Sequence, residues 1–118
     1  MMSLREHQSA FLRDIATLIT FAFEHPDVQL TAGDFWAHDG HMARSLHYER
    51  LAADLNLFVK TAHDTEPNRF VWKYVNAEHP MWNMLGAKWL SLSPNNRWGG
   101  DFAKRDYNHF SRAIDERA

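Results

Sequence analysis

The chain has 118 residues, which suits one domain built on one core, and 45% of them are hydrophobic, which argues against disorder. Its formal charge is -2 with no basic run, so nucleic acid is not an expected partner. It has no cysteine, which excludes disulfides, thiolate metal sites and cysteine nucleophiles.

Residues 4–23 read as an amphipathic helix. Phe11, Leu12, Ile15, Leu18, Ile19 and Ala22 recur at three- and four-residue steps, Ser3 and Glu6 form a capping-box signature, and His25-Pro26 ends the run. The apolar stretch 15–23 is too short to cross a bilayer and is flanked by Asp14 and Glu24, so no stable membrane association is expected. Residues 28–35 alternate as a strand, with Gly33 suggesting a bulge. The polar stretch 36–44 is expected to be a loop. Residues 51–59 give the clearest strand: Leu51, Ala53, Leu55 and Leu57 should face the core, and Ala52, Asp54 and Asn56 the other side. Residues 60–68 read as a polar connection, and 70–76 fit strand or helix equally. Residues 80–92 read as a helix opened by Pro80, with Met81, Met84, Leu85 and Trp89 on its apolar stripe. Two short strands are expected at 98–102 and 109–112. Helix and strand without βαβ regularity indicate the α+β class, and the whole chain, 1–118, reads as one domain.

Two pairs carry the chemistry. His47 and Asp54 lie in Ser45-Leu46-His47-Tyr48-Glu49-Arg50-Leu51-Ala52-Ala53-Asp54-Leu55, and Asp106 and His109 in Asp106-Tyr107-Asn108-His109-Phe110. A catalytic zinc site needs three protein ligands, an open position and a carboxylate to move protons. His47, Asp54 and His109 could supply the ligands and Asp106 the base. Seven residues of extended strand cover about 23 Å, so His47 and Asp54 can share an ion only if the chain bends around Tyr48-Glu49-Arg50. Asp106 and His109 likewise need a turn at Tyr107-Asn108. On spacing alone, Asp106 also reads as an ordinary turn residue, and His38 with His41 forms a rival ligand pair. Glu49, Arg50, Lys104 and Arg105 read as solvated surface.

Ser45-x-His47-x4-Ala52-x-Asp54-Leu55 resembles the first zinc motif of the D-Ala-D-Ala carboxypeptidase and L-alanyl-D-glutamate endopeptidase family, and Asp106-x2-His109-Phe110 resembles its second. Leu30-Thr31-Ala32-Gly33-Asp34, Leu85-Gly86-x2-Trp89-x-Ser91-Leu92 and Trp98-Gly99-Gly100-Asp101-Phe102 resemble the family's flanking elements, in the order found in short phage-encoded members. The resemblance covers roughly residues 28 to 112 of the chain. It implies a small antiparallel sheet flanked by helices with the zinc site in a cleft on the sheet. It also implies His47, Asp54 and His109 as Zn2+ ligands, Asp106 as general base and Ser45 as a substrate or ligand-shell contact.

The implied activity is hydrolysis of a stem-peptide bond of peptidoglycan, L-Ala–D-Glu in an endolysin. D-Ala-D-Ala carboxypeptidase or dipeptidase activity, or a non-catalytic zinc module of a phage particle, are the rivals. No secretion signal is read at the N-terminus, so accumulation in a host cytoplasm and dependence on a holin-like pore to reach the wall are expected. Two departures from the family stand out. Many members carry Gly three residues after the first His, where this chain has Arg50. Many also carry a substrate-binding Arg where this chain reads Asp34-Phe35-Trp36-Ala37, which leaves Arg44 as the nearest candidate to steady a developing oxyanion.

Overall fold

In the computed structural model, residues 1–36 and 45–114 are described. Helix α1 spans Leu4–Phe23. Ser3 Oγ accepts from the Glu6 N–H at 3.1 Å and Glu6 Oε1 accepts from the Ser3 N–H at 3.0 Å, so the capping box closes as its residues require. Phe11, Ile15, Leu18 and Ala22 form its buried stripe.

Five strands follow: β1 (Val28–Ala32), β2 (Ala52–Ala62), β3 (Phe70–Val75), β4 (Asn96–Trp98) and β5 (His109–Arg112), with α2 (Pro80–Leu92) between β3 and β4. They form one antiparallel sheet in the order β1-β2-β5-β4, with β3 also on β2. The fold is α+β. Strand β2 is its spine: β1 runs along one edge, while β5 pairs with residues 52–54 and β3 with residues 57–62 of the other.

Alternation along β2 sorts the sheet into two faces. Ala53, Leu55 and Leu57 are buried, and Phe110 stands opposite Ala53. Phe110 meets the rings of Trp82 and Trp89 from α2 at 6.3 and 6.0 Å, and Trp89 meets Phe11 of α1 at 5.7 Å. The tryptophans also anchor main chain: Trp89 Nε1 donates to Arg97 O and Ser111 O, Trp82 Nε1 to Val75 O, and Trp98 Nε1 to Tyr107 O. Each indole thereby buries a large apolar surface with its one polar atom satisfied. Asp54 and His109, directly paired across β2 and β5, point to the opposite face.

Several boundaries differ from expectation. The first strand stops at Ala32 rather than 35, because the Gly33 N–H donates to Asp54 O and the Asp54 N–H donates to Asp34 O, both at 2.8 Å. Two residues thus oppose one, which is a bulge. Strand β2 extends past residue 59 to Ala62 because β3 pairs with its end, and the same pairing makes the ambiguous 70–76 segment a strand. The expected strand at 98–102 is β4 ending at Trp98, followed by a 3-10 turn at Gly99–Asp101. A Cβ on Gly99 would collide with Asp106 O, so the chain folds back there at a point only glycine tolerates. The expected loop at 36–44 lies, apart from Trp36, outside the described residues.

Candidate metal centre

His47 enters the site from a 3-10 turn, Leu46–Glu49. Ser45 caps it, its Oγ accepting the His47 N–H at 3.2 Å. The turn is tied down on several sides. The Leu51 N–H donates to Leu46 O at 3.0 Å, the Arg112 N–H donates to Leu51 O at 2.8 Å, and Gln8 Nε2 of α1 donates to Glu49 O at 2.8 Å. The turn ends at Arg50, which has φ 59° and ψ 37°, the one positive-φ non-glycine among the described residues. The required bend therefore exists, and Arg50 makes it in the left-handed conformation that glycine favours. Its guanidinium lies 4.5 Å from the centre of the Trp36 ring.

His47 Nε2 is 3.3 Å and His109 Nδ1 3.5 Å from the same atom, Asp54 Oδ1, and the two imidazole rings are 5.3 Å apart. One ligand atom from each of His47, Asp54 and His109 lies within 4.8 Å of the others. Metal bonds of about 2 Å in tetrahedral array separate ligand atoms by roughly 3.3 Å, so the three residues need only a small contraction to hold an ion. The donor set is right for one: two imidazoles and one carboxylate. Asp54 Oδ1 is buried without a well-formed hydrogen bond, a cost that coordination of an ion would relieve. The Phe102 ring lies 5.5 Å from that of His109, tilted by 52°, and borders the site.

Charge agrees with geometry. Burial pushes the Asp54 carboxyl up, but the two imidazoles pull harder and hold it at about 2, so it stays ionised. Burial pulls the His47 imidazole down, yet Asp54, helped by Asp34 and the Phe35 main chain, raises it above its ordinary value. A proton and a cation thus compete for the same nitrogen.

A family profile described as D-alanyl-D-alanine carboxypeptidase matches residues 39–112, more than half of the chain and all three of these residues. The chain belongs to that family. No curated protein matches it. As a member of this D-alanyl-D-alanine carboxypeptidase family it falls among metallopeptidases that act on peptidoglycan peptides, and its His-Asp-His group stands where such an enzyme needs a metal.

The remaining sequence candidates distribute as follows. Asp106 is exposed and opens a turn: its C=O accepts the His109 N–H at 3.1 Å and its own N–H donates to Gly99 O at 2.9 Å. The Tyr107-Asn108 turn therefore forms, bringing the Cα atoms of Asp106 and His109 within about 7 Å. Asp106 also lines a depression with Tyr74, Asn76, Trp82, Arg105 and Asn108, of which none of the three ligand residues is part. Ser45 acts in this structure on the turn that carries His47. Arg44, and the rival pair His38 and His41, lie outside the described residues. Three supporting residues were not singled out by sequence reasoning as parts of the site: Trp36 under Arg50, Phe102 beside His109, and Gln8 on the His47 turn. Phe102 left a trace as the last residue of a family-like segment, and Trp36 as part of the stretch that departs from the family; Gln8 left none.

Proposed function

We propose that the chain is a zinc-dependent peptidase of peptidoglycan stem peptides. The observation that carries this reading is the convergence of His47, Asp54 and His109 from a turn and two strands onto one open sheet face. Two imidazoles and a carboxylate suit zinc. When bound there, the ion would supply Lewis acidity, acidifying a water and polarising the peptide carbonyl. Asp106, exposed and fixed by its turn beside His109, is the proposed general base: its carboxylate takes the proton of the attacking water and passes it to the leaving nitrogen. Ser45 holds the His47 turn in place, and Arg44 is proposed to steady the oxyanion.

For the bond cut we favour L-Ala–D-Glu and a phage endolysin role, supported by the order of motifs that this chain shares with short phage-encoded members. Within that role the protein would accumulate in the host cytoplasm and reach the wall through a holin-like pore. Among the described residues no helix is long and apolar enough to cross a membrane. The description of the matched family favours a second reading, removal of a terminal D-Ala. Digestion of purified peptidoglycan with and without chelator, read by mass spectrometry, separates the two. Whole stem peptides support the first reading, loss of terminal D-Ala the second, and no product in either condition overturns both.

A further inference from the structure

The face of the sheet that carries Asp54 does not end at the metal centre. Even-numbered residues of β2 share it, so Asn56, Phe58 and Lys60 continue the surface along the strand. Across the ladder, Tyr74 stands opposite Phe58, Trp72 opposite Lys60 and Phe70 opposite Ala62. All three aromatics of β3 therefore lie on this one face, and they are exposed: Phe70 by 55%, Trp72 by 40% and Tyr74 by 52%. A strand normally turns such side chains inward; here Val71 and Val75 take the inner side and the aromatics the outer. Three of the four rings have a close neighbour on this face. Phe58 and Tyr74 sit 5.5 Å apart, and Lys60 Nζ lies 4.5 Å from the Phe70 ring centre. At the near end the stripe runs into the depression that Tyr74 shares with Asp106 and Arg105.

We infer that Phe70, Trp72 and Tyr74, with Phe58, form a platform on which the sugar chain of the polymer stacks while one of its peptides occupies the metal centre. This rests on the peptidoglycan-peptidase reading. The substrate of that reading is a polysaccharide with peptides attached, so a surface continuous with the peptide site meets sugar next. Pyranose rings present flat C–H faces to the negative face of an aromatic ring, and an ordered row of rings binds them with little loss of side-chain freedom. Phe58 and Tyr74 lie roughly 13 Å along the strand from Asp54, and Trp72 roughly 20 Å. With L-Ala–D-Glu at the metal centre, about one residue separates the cut from the first sugar, so the sugars that follow along the glycan are the ones that reach these rings; with the stem's far end there, a stem of a few residues at up to about 3.5 Å each brings the first sugar to Phe58 and Tyr74.

The test titrates glycan strands stripped of their peptides into the full chain, followed by amide chemical shifts. Binding is expected in the wild type, with shifts centred on Phe70, Trp72 and Tyr74. It should weaken roughly tenfold in Trp72→Ala and in Phe70→Ala and be largely kept in Trp72→Phe. Loss of activity on intact sacculi should exceed loss on a soluble, sugar-free stem peptide by a similar factor. The wild-type shift map does not depend on the variants folding, and thermal melts report whether they do. Absence of glycan binding by the wild type, shifts centred elsewhere, or folded alanine variants that bind as the wild type does would each overturn the inference. So would a dimer that Trp72→Ala dissolves, since the face would then serve a second copy of the chain. Glycan binding that depends on Trp72, without cleavage of any peptide, removes the peptidase reading and leaves the platform; cleavage without glycan binding does the reverse.

Discussion

Asp54 is the hinge of the metal centre, because one of its oxygens faces both imidazoles. Asp54→Asn keeps the shape but removes the charge, and it should abolish stoichiometric zinc binding as read by elemental analysis of the dialysed protein. Asp106→Ala is expected to act differently. It should leave zinc bound and cut turnover by about 10²- to 10⁴-fold, the usual contribution of a general base; zinc loss in this variant would instead make Asp106 part of the ligand shell. The coupled titration of His47 and Asp54 gives a pH dependence with a definite sign. Asp54 is depressed, so its contribution to the metal-free fold is present above its ordinary value of 3.8 and is lost as pH falls through about 2. His47 is raised, so its contribution is full below 6.5 and is lost as pH rises through its higher folded value. Urea melts of chelated protein should therefore weaken at both ends of that window. Zinc uptake should release a proton below the raised His47 value, measurable by calorimetry in buffers of different ionisation enthalpy.

At the scale of elements, the tight places are turns and a bulge rather than strands. Arg50 holds a left-handed conformation that costs about 1–2 kcal/mol, partly offset by about 0.5–1 kcal/mol from the cation over the Trp36 ring. Arg50→Gly should thus leave stability level or raise it by up to about 1 kcal/mol, while Arg50→Ala keeps the strain, loses the cation and should lower it. Thermal melts of both variants check the order. Gly33→Ala places a Cβ 2.8 Å from Asp54 O and 3.1 Å from Asp54 Cβ, pushing on the backbone of a ligand. Its expected effect is on zinc affinity first, by about tenfold or more, with a smaller effect on melting temperature. Here the limits of sequence reading also show. The helix positions were legible because caps and apolar recurrence are local: Ser3, Glu6 and Pro80 mark their own places. Their stripes were legible only in part, since Leu12, expected inside, is exposed and Trp82, not expected on the α2 stripe, is buried. That a shared ion requires a bend before Leu51 and a turn before His109 followed from strand geometry. The end of β1 at Ala32, the reach of β2 to Ala62 and the 3-10 turn at Gly99 were not legible, because each depends on a partner distant in sequence. The convergence of His47, Asp54 and His109 came from family resemblance, since spacing alone favoured ordinary roles for His47 and Asp54 and a turn role for Asp106.

For the molecule as a whole, the sheet divides labour between its faces. One is covered by two helices, α1 through Phe11 and α2 through Trp82 and Trp89; the other carries Asp54 and His109 at one end and exposed aromatics at the other. Class and most of the sidedness were readable because alternation in β2 names both faces at once, Leu55 and Leu57 inward and Asp54 and Asn56 outward; Ala52, expected outward with them, is fully buried. That the aromatics of β3 join the outer face was not, since Phe70-Val71-Trp72-Lys73-Tyr74-Val75 carries apolar residues on both sides and only pairing with β2 assigns them. The three ligands also span the chain in a particular way: His47 lies near its middle and His109 near its end, with Asp54 between them in space. An ion gripping all three would therefore act as a cross-link in a protein that has no cysteine to make one. Tying points so far apart in sequence removes roughly 4 kcal/mol of freedom from the unfolded chain. Zinc in this protein would then be a fastener as much as a reagent, drawing the last strand to the middle of the chain and loosening that tie when it is withdrawn.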